Sequence, residues 1–155
     1  MIATERSHYV KGLDPVANAF AGTINSDVVN MTLYNHVEFI VYWGVGATGT
    51  TTLTVEACDD VVPTNTTAIP FAYRRISTGD THGALIQATA AGFLTTAGSS
   101  QMYVIEVDAA ALAALDRKYV RLHGVEGTAS PILGGIMIRL SEARYAQAIT
   151  DSAIV

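Results

Sequence analysis

Residues 37–57 read VEFIVYWGVGATGTTTLTVEA, and the reading of this stretch decides the fold. Val37, Phe39, Val41 and Trp43 alternate with Glu38, Ile40 and Tyr42, the period of two that marks a strand with one face in a core. Residues 44–49 then match G-x-G-x-x-G. A dinucleotide site needs that pattern to open a helix, whose N-terminal amides hold the pyrophosphate. Here it is followed by Thr50-Thr51-Thr52-Leu53-Thr54-Val55, a β-branched run that favours another strand. The glycines therefore read as a hairpin loop, and no cofactor is expected.

The same period extends outward from this stretch. Upstream, Val29, Met31 and Leu33 alternate with Asn30, Thr32 and Tyr34, with Asn35-His36 as a tight turn before the next strand. Downstream, residues 69–76, 102–107, 119–125 and 136–140 read as strands, with a weaker one at 84–87. Asp59-Asp60 reads as turn residues, and Asp108 is placed to cap a short helix over 109–115. About eight short antiparallel strands separated by turn signals predict an all-β protein, a β-sandwich or jelly roll. Residues 1–27 are irregular, broken by Asp14-Pro15 and Gly22. They read as an extended N-terminal arm whose apolar anchors are Ile2, Tyr9, Val10, Leu13 and Phe20. The sandwich domain then covers 28–145, and 146–155 form an alanine-rich C-terminal tail.

Composition narrows the function. Half of the 155 residues are hydrophobic and only 15% are charged, against about 25% in an ordinary domain. Such a chain has the apolar content to bury a core. A net charge of −5 with nine scattered Lys and Arg offers no phosphate-neutralising surface, so no nucleic-acid partner is expected. No run approaches the ~20 apolar residues of a membrane span, so no membrane partner is expected either. The opening residues lack the basic start and apolar run of a signal peptide, which predicts a protein made and kept in a cytosol, or one that reaches its site by assembly. Threonine, at eighteen residues, fills outward strand positions and accounts for part of the missing charge. The rest of the deficit lies in residues 17–23 and in the tail after Arg144, as if both ends were held against neighbouring subunits.

No catalytic constellation is legible. His8, His36, His82 and His123 lack ligand spacing, Cys58 is alone, and zinc needs three or four ligands, so no metal is expected. Glu56 and Glu106 are the one carboxylate pair that neighbouring strands could bring together as acid and base. Strand alternation explains them equally well as solvent-facing groups or partners of arginines. Arg outnumbers Lys seven to two, and arginine is favoured in interfaces. Arg74, Arg75, Arg121 and Arg144 are therefore candidates for ion pairs with a neighbouring copy, or for pairs within the chain.

One resemblance joins these readings. The phrases Phe71-Ala-Tyr-Arg-Arg-Ile-Ser-Thr-Gly-Asp-Thr, Met102-Tyr-Val-Ile-Glu-Val-Asp-Ala-Ala-Ala-Leu, Tyr119-Val-Arg-Leu and Ser130-Pro-Ile-Leu-Gly-Gly, with residues 35–56, resemble small virion proteins encoded among the head genes of tailed bacteriophages. The resemblance implies a non-enzymatic capsid decoration or cement protein on the capsid exterior. Its partners would be the major capsid protein and itself, as a homotrimer, with arms that clamp neighbouring subunits. A tail or neck subunit is the alternative within virions. A carbohydrate-binding β-sandwich for host attachment is the alternative outside that class, and it would need Tyr42, Trp43 or Tyr103 exposed to stack on a sugar.

Overall fold

The computed structural model describes residues 2–46, 48–145 and 154. The chain is all-β, two antiparallel sheets packed face to face. A 3₁₀ turn (Ala3–Glu5) precedes β1 (His8–Val16), β2 (Thr23–Asn25), β3 (Val29–Asn30), β4 (Tyr34–Gly46) and β5 (Thr50–Cys58). β6 (Thr66–Ile69), β7 (Phe71–Thr78), β8 (Thr81–His82), β9 (Ile86–Ala88) and β10 (Phe93–Leu94) follow. β11 (Gln101–Asp108), the single-turn helix α1 (Ala109–Ala113), β12 (Tyr119–Thr128) and β13 (Ile132–Ala143) complete it. The larger sheet runs β1-β13-β4-β11-β7-β8, with β9 also on β7. The smaller runs β10-β5-β12-β2, with β3 on β12 and β6 on β5. Among the described residues no helix is long and apolar enough to cross a membrane.

The long strands behave as their alternation predicts. Val37, Phe39, Val41 and Trp43 of β4 face Leu53, Val55 and Ala57 of β5 across the core, all essentially without exposure. Residues 44–49 are not a hairpin, however. β4 lies in one sheet and β5 in the other, so this turn carries the chain across the sandwich. Gly49 passes where a Cβ would stand 2.7 Å from Ile132 and the Ser130 carbonyl. Pro70 marks a second crossing, between β6 and β7. Asn35-His36 is not a turn either: both lie inside β4, and only Val29 and Asn30 of the strand expected before them pair as β3.

The N-terminal region is built into the sandwich rather than standing off it as an arm. β1 pairs antiparallel with β13 from His8↔Leu140 to Val16↔Gly134. Pro15 fits because β1 is an edge strand, where one missing amide donor leaves no ladder bond unmade. Gly12 and Gly135 permit the close crossing; a Cβ on Gly135 would meet the Leu13 carbonyl at 2.7 Å. Beyond β1 the chain turns inward. Phe20 is 1% exposed and meets Trp43 edge-on at 5.5 Å, and the Ala19 amide donates to the Ile132 carbonyl. The uncharged stretch 17–23 thus inserts its one aromatic residue into the protein's own core. The expected tail, 146–155, lies outside the described residues apart from the exposed Ile154.

An aromatic cluster fills the core beside Phe20. Trp43 contacts Tyr103, Tyr103 contacts Phe93, and Phe93 stacks flat on Tyr73 at 3.8 Å. Its polar atoms are satisfied by the 95–100 loop: the Trp43 indole donates to the Gly98 carbonyl and the Thr96 amide donates to the Tyr103 hydroxyl.

Candidate functional site

The two outer faces of the sandwich differ in kind. On the smaller sheet, outward positions of β5, β12 and β2 hold Thr52, Thr54, Glu56, Arg121, His123 and Asn25. They pair among themselves: Arg121 donates to Glu56 at 2.7 and 2.8 Å, and His123 Nδ1 lies 2.8 Å from the Asn25 side-chain oxygen. That is the polar outer face expected of a solvated antiparallel sheet.

On the larger sheet the register lines the outward side chains into levels. One level reads Tyr9, Arg139, Glu38, Glu106 and Ala72 across β1, β13, β4, β11 and β7. The next reads Lys11, Met137, Ile40, Val104 and Arg74. The one after reads Gly135, Tyr42, Met102 and Ile76. The centre of this face is therefore apolar although it is an outer surface; Tyr42 is 56% and Met137 44% exposed. A hollow of about 280 Å³ lies beside Tyr42, walled by Lys11, Leu13, Pro15 and Met137.

A charged border closes one edge of this face. His36 places Nδ1 2.8 Å from Asp108 and Nε2 3.5 Å from Glu106 and 3.8 Å from Glu38. Arg139 donates to both Glu38 oxygens and to Ser7, and the Glu38 hydrogen bond raises its pKa further. This border explains why Asp108 fails as a helix cap. It occupies the N-cap position of α1, but its carboxylate makes no bond to the helix amides and lies against His36 instead. These groups answer one another's charges, and among the described residues no His, Cys, Asp and Glu side chains group to hold a metal.

A second apolar region caps one end of the sandwich. Thr128↔Thr50 and Ile132↔Gly46 place the β4–β5 and β12–β13 turns at the same end. Val16, Val45 and Leu133 of the larger sheet and Leu94 and Val125 of the smaller sheet gather there, between 43% and 67% exposed. The opposite end is charged. A cleft of about 500 Å³ there is lined by Arg117, Lys118, Arg144, Asp59 and Asp116 with Met31 and Leu112. Asp59 holds this end's loop by accepting from the hydroxyl and amide of Thr64 and the amide and side chain of Asn65. Those donors keep its carboxyl well below the usual range, the Thr64 hydroxyl foremost.

The residues singled out from sequence separate accordingly. Of the expected arm anchors, Ile2 and Tyr9 are exposed, Leu13 packs against the core, and Val10 and Phe20 are buried in it. Buried anchors cannot reach a partner, so those two serve the fold. Arg121 is committed to Glu56, Arg74 donates to the Gly83 carbonyl and Arg75 to Gln101, all within the chain. Arg144 is exposed at the charged cleft. Glu56 and Glu106 cannot act as an acid–base pair, because they lie on the outer faces of different sheets. Trp43 and Tyr103, 1% exposed each, are unavailable to a sugar; only Tyr42 of that set faces outward. Sequence reading noticed Ile40 and Tyr42 facing away from Trp43 but missed the surface they build. The unbroken apolar run of residues 39–43 was its one signal.

Cys58 is buried, and burial pushes its thiol up to about 11, partly offset by Arg121. The folded state favours the neutral thiol. Its contribution to stability is complete below the ordinary value of 9.0 and is lost as pH rises from there through about 11. In the native protein at pH 8, a thiol reagent is expected to leave Cys58 unmodified, with full labelling only after unfolding.

Comparison with known proteins adds little to this geometry. No family model and no curated protein matches the chain. Among solved structures, a chain in the structure of the infectious bursal disease virus Gt strain is similar at a TM-score of 0.23 and 10% identity. The likeness covers 89% of this chain and 36% of that one, so this chain spans little more than a third of that chain's length. At that level it establishes neither fold nor function.

Proposed function

We propose that this chain is a non-enzymatic structural protein of a bacteriophage virion. It decorates and stabilises the capsid by binding major capsid subunits on the shell exterior. The observation that carries this reading is that Val16, Val45, Leu94, Val125 and Leu133, all exposed, lie towards one end of the sandwich. Exposed apolar side chains concentrated in one region mark an association site. Here they sit on strands held by a two-sheet body, which suits docking by buried area rather than chemistry. Assembled copies multiply a weak contact, since each further contact forms at the effective concentration set by the first.

The test uses shells of the cognate phage from which this protein has been removed. Full-length protein is expected to co-sediment with them to saturation, and Leu133→Asp together with Val45→Asp is expected to weaken binding at least tenfold while the folded spectrum is kept. Undiminished occupancy by that variant would remove this end as the docking site. No binding by the unaltered protein would remove the shell reading altogether.

A further inference from the structure

The apolar outer face of the larger sheet extends away from the end assigned to the shell, meeting it at Leu133 of β13, and its pattern complements itself. We infer that this face pairs with the same face of a second copy, about a two-fold axis that runs parallel to the strands between β4 and β13.

Such an axis exchanges β4 with β13 and β11 with β1 and leaves every level of the register at its own height. Arg139 then lies over the partner's Glu38, and Glu38 over the partner's Arg139, so the two intrachain pairs close into a ring of four alternating charges. Met137 lies over the partner's Ile40. Tyr42 lies over the partner's Gly135 level, beside the hollow of about 280 Å³ that opens between Leu13, Pro15 and Met137. Tyr9 comes over the partner's Glu106, where a phenol can donate to a carboxylate. Knob meets hollow and cation meets anion with one patch used twice, as an isologous contact requires. The other in-plane axis, perpendicular to the strands, reverses the levels. It would set Glu38 and Glu106 against Tyr42 and Met102, so that no charge meets an opposite charge across the contact.

The size suits a weak, reversible dimer. The overlap takes four strands, β1, β13, β4 and β11, at about 4.8 Å and three outward levels at about 6.8 Å, roughly 19 by 20 Å or about 390 Å² in projection. Two copies then bury about 800 Å² before side-chain relief is counted, the low end of the range for a transient contact. The two sheets pack as aligned sheets do, about 10 Å apart. A pair made this way points two apolar ends towards a shell. It departs from the three-fold assembly implied by the resemblance to phage decoration proteins.

Sedimentation velocity of the full-length protein across a concentration series decides it. The expected species is a dimer of twice the 16.4 kDa chain mass. Tyr42→Asp and, separately, Met137→Lys change exposed side chains, and each is expected to raise the dimer dissociation constant at least tenfold with the melting temperature of the monomer kept. Val125→Asp, on the smaller sheet, is expected to leave the dimer intact. A monomer at every concentration, a trimer, or a dimer indifferent to both face variants would each overturn the pairing. Shell binding reports on the other surface: a Tyr42→Asp monomer that still binds shells, more weakly, leaves the shell reading standing.

Discussion

Phe20→Ala is expected to lower the unfolding free energy by about 3–5 kcal/mol, the range for deleting a buried aromatic ring. Phe20 is the single large side chain that fixes residues 17–22 to the core, and it closes one edge of Trp43. Its removal opens a cavity beside the indole, so Trp43 emission shifts to the red as stability falls. Urea unfolding followed by Trp43 fluorescence checks both effects. A loss below about 1 kcal/mol would mean that the segment can leave the core at little cost. The same argument reverses the expectation for truncation. Deleting residues 1–20 removes β1 from the sheet edge as well as Phe20, so the shortened chain is expected to lose cooperative folding rather than survive as a domain without its arm.

Gly92→Ala is expected to cost about 2–5 kcal/mol, combining left-handed strain of about 1–2 with overpacking of about 1–3. Gly92 has φ +75°, and a Cβ there would fall 2.0 Å from the Leu53 carbonyl oxygen and 2.7 Å from Thr54 Cγ2. Neither the oxygen nor Gly92 can withdraw without breaking the β10–β5 pairing at Phe93↔Leu53. Because Phe93 stacks on Tyr73 and touches Tyr103, the near-ultraviolet circular dichroism is expected to change with the stability. Gly22→Ala is the control. Its φ is +63° but nothing lies within 4 Å of the added carbon, so only the conformational cost of about 1–2 kcal/mol applies. Equal losses at the two sites would show that the crowding at Gly92 is relieved elsewhere.

The alternation of β4, β5, β11, β12 and β13 was legible because each strand buries one face, and a period of two records that directly. What alternation does not record is the partner. The glycine-rich sequence between β4 and β5 looks like a hairpin loop, yet the two strands pair in different sheets. β1 was hidden by Gly12 and Pro15, which demote a run locally but are tolerated at an edge strand crossing close over β13. Phe20 looked like a free anchor because its neighbours are small and uncharged, and only the long-range contact with Trp43 shows otherwise. Asp108 had the position of a helix cap but not the partner, since His36, seventy-two residues away, holds its carboxylate.

The candidate surfaces were less legible than the fold. The apolar end is assembled from five residues on five separate strands, each unremarkable alone. The apolar face needs the register of three strands before Ile40, Tyr42, Met102, Val104 and Met137 become neighbours. Both surfaces lack the spacing that makes catalytic motifs readable, because association by buried area asks only for shape and hydrophobicity in one place.

Counting copies of this chain in intact, purified particles tests the central claim most directly. A protein that decorates the shell follows the shell's repeated symmetry, and the account predicts copies in the hundreds per particle, lost together with shell stability when the apolar end is altered. A count of about a dozen or fewer, the ring stoichiometry of a neck or tail subunit, would contradict it.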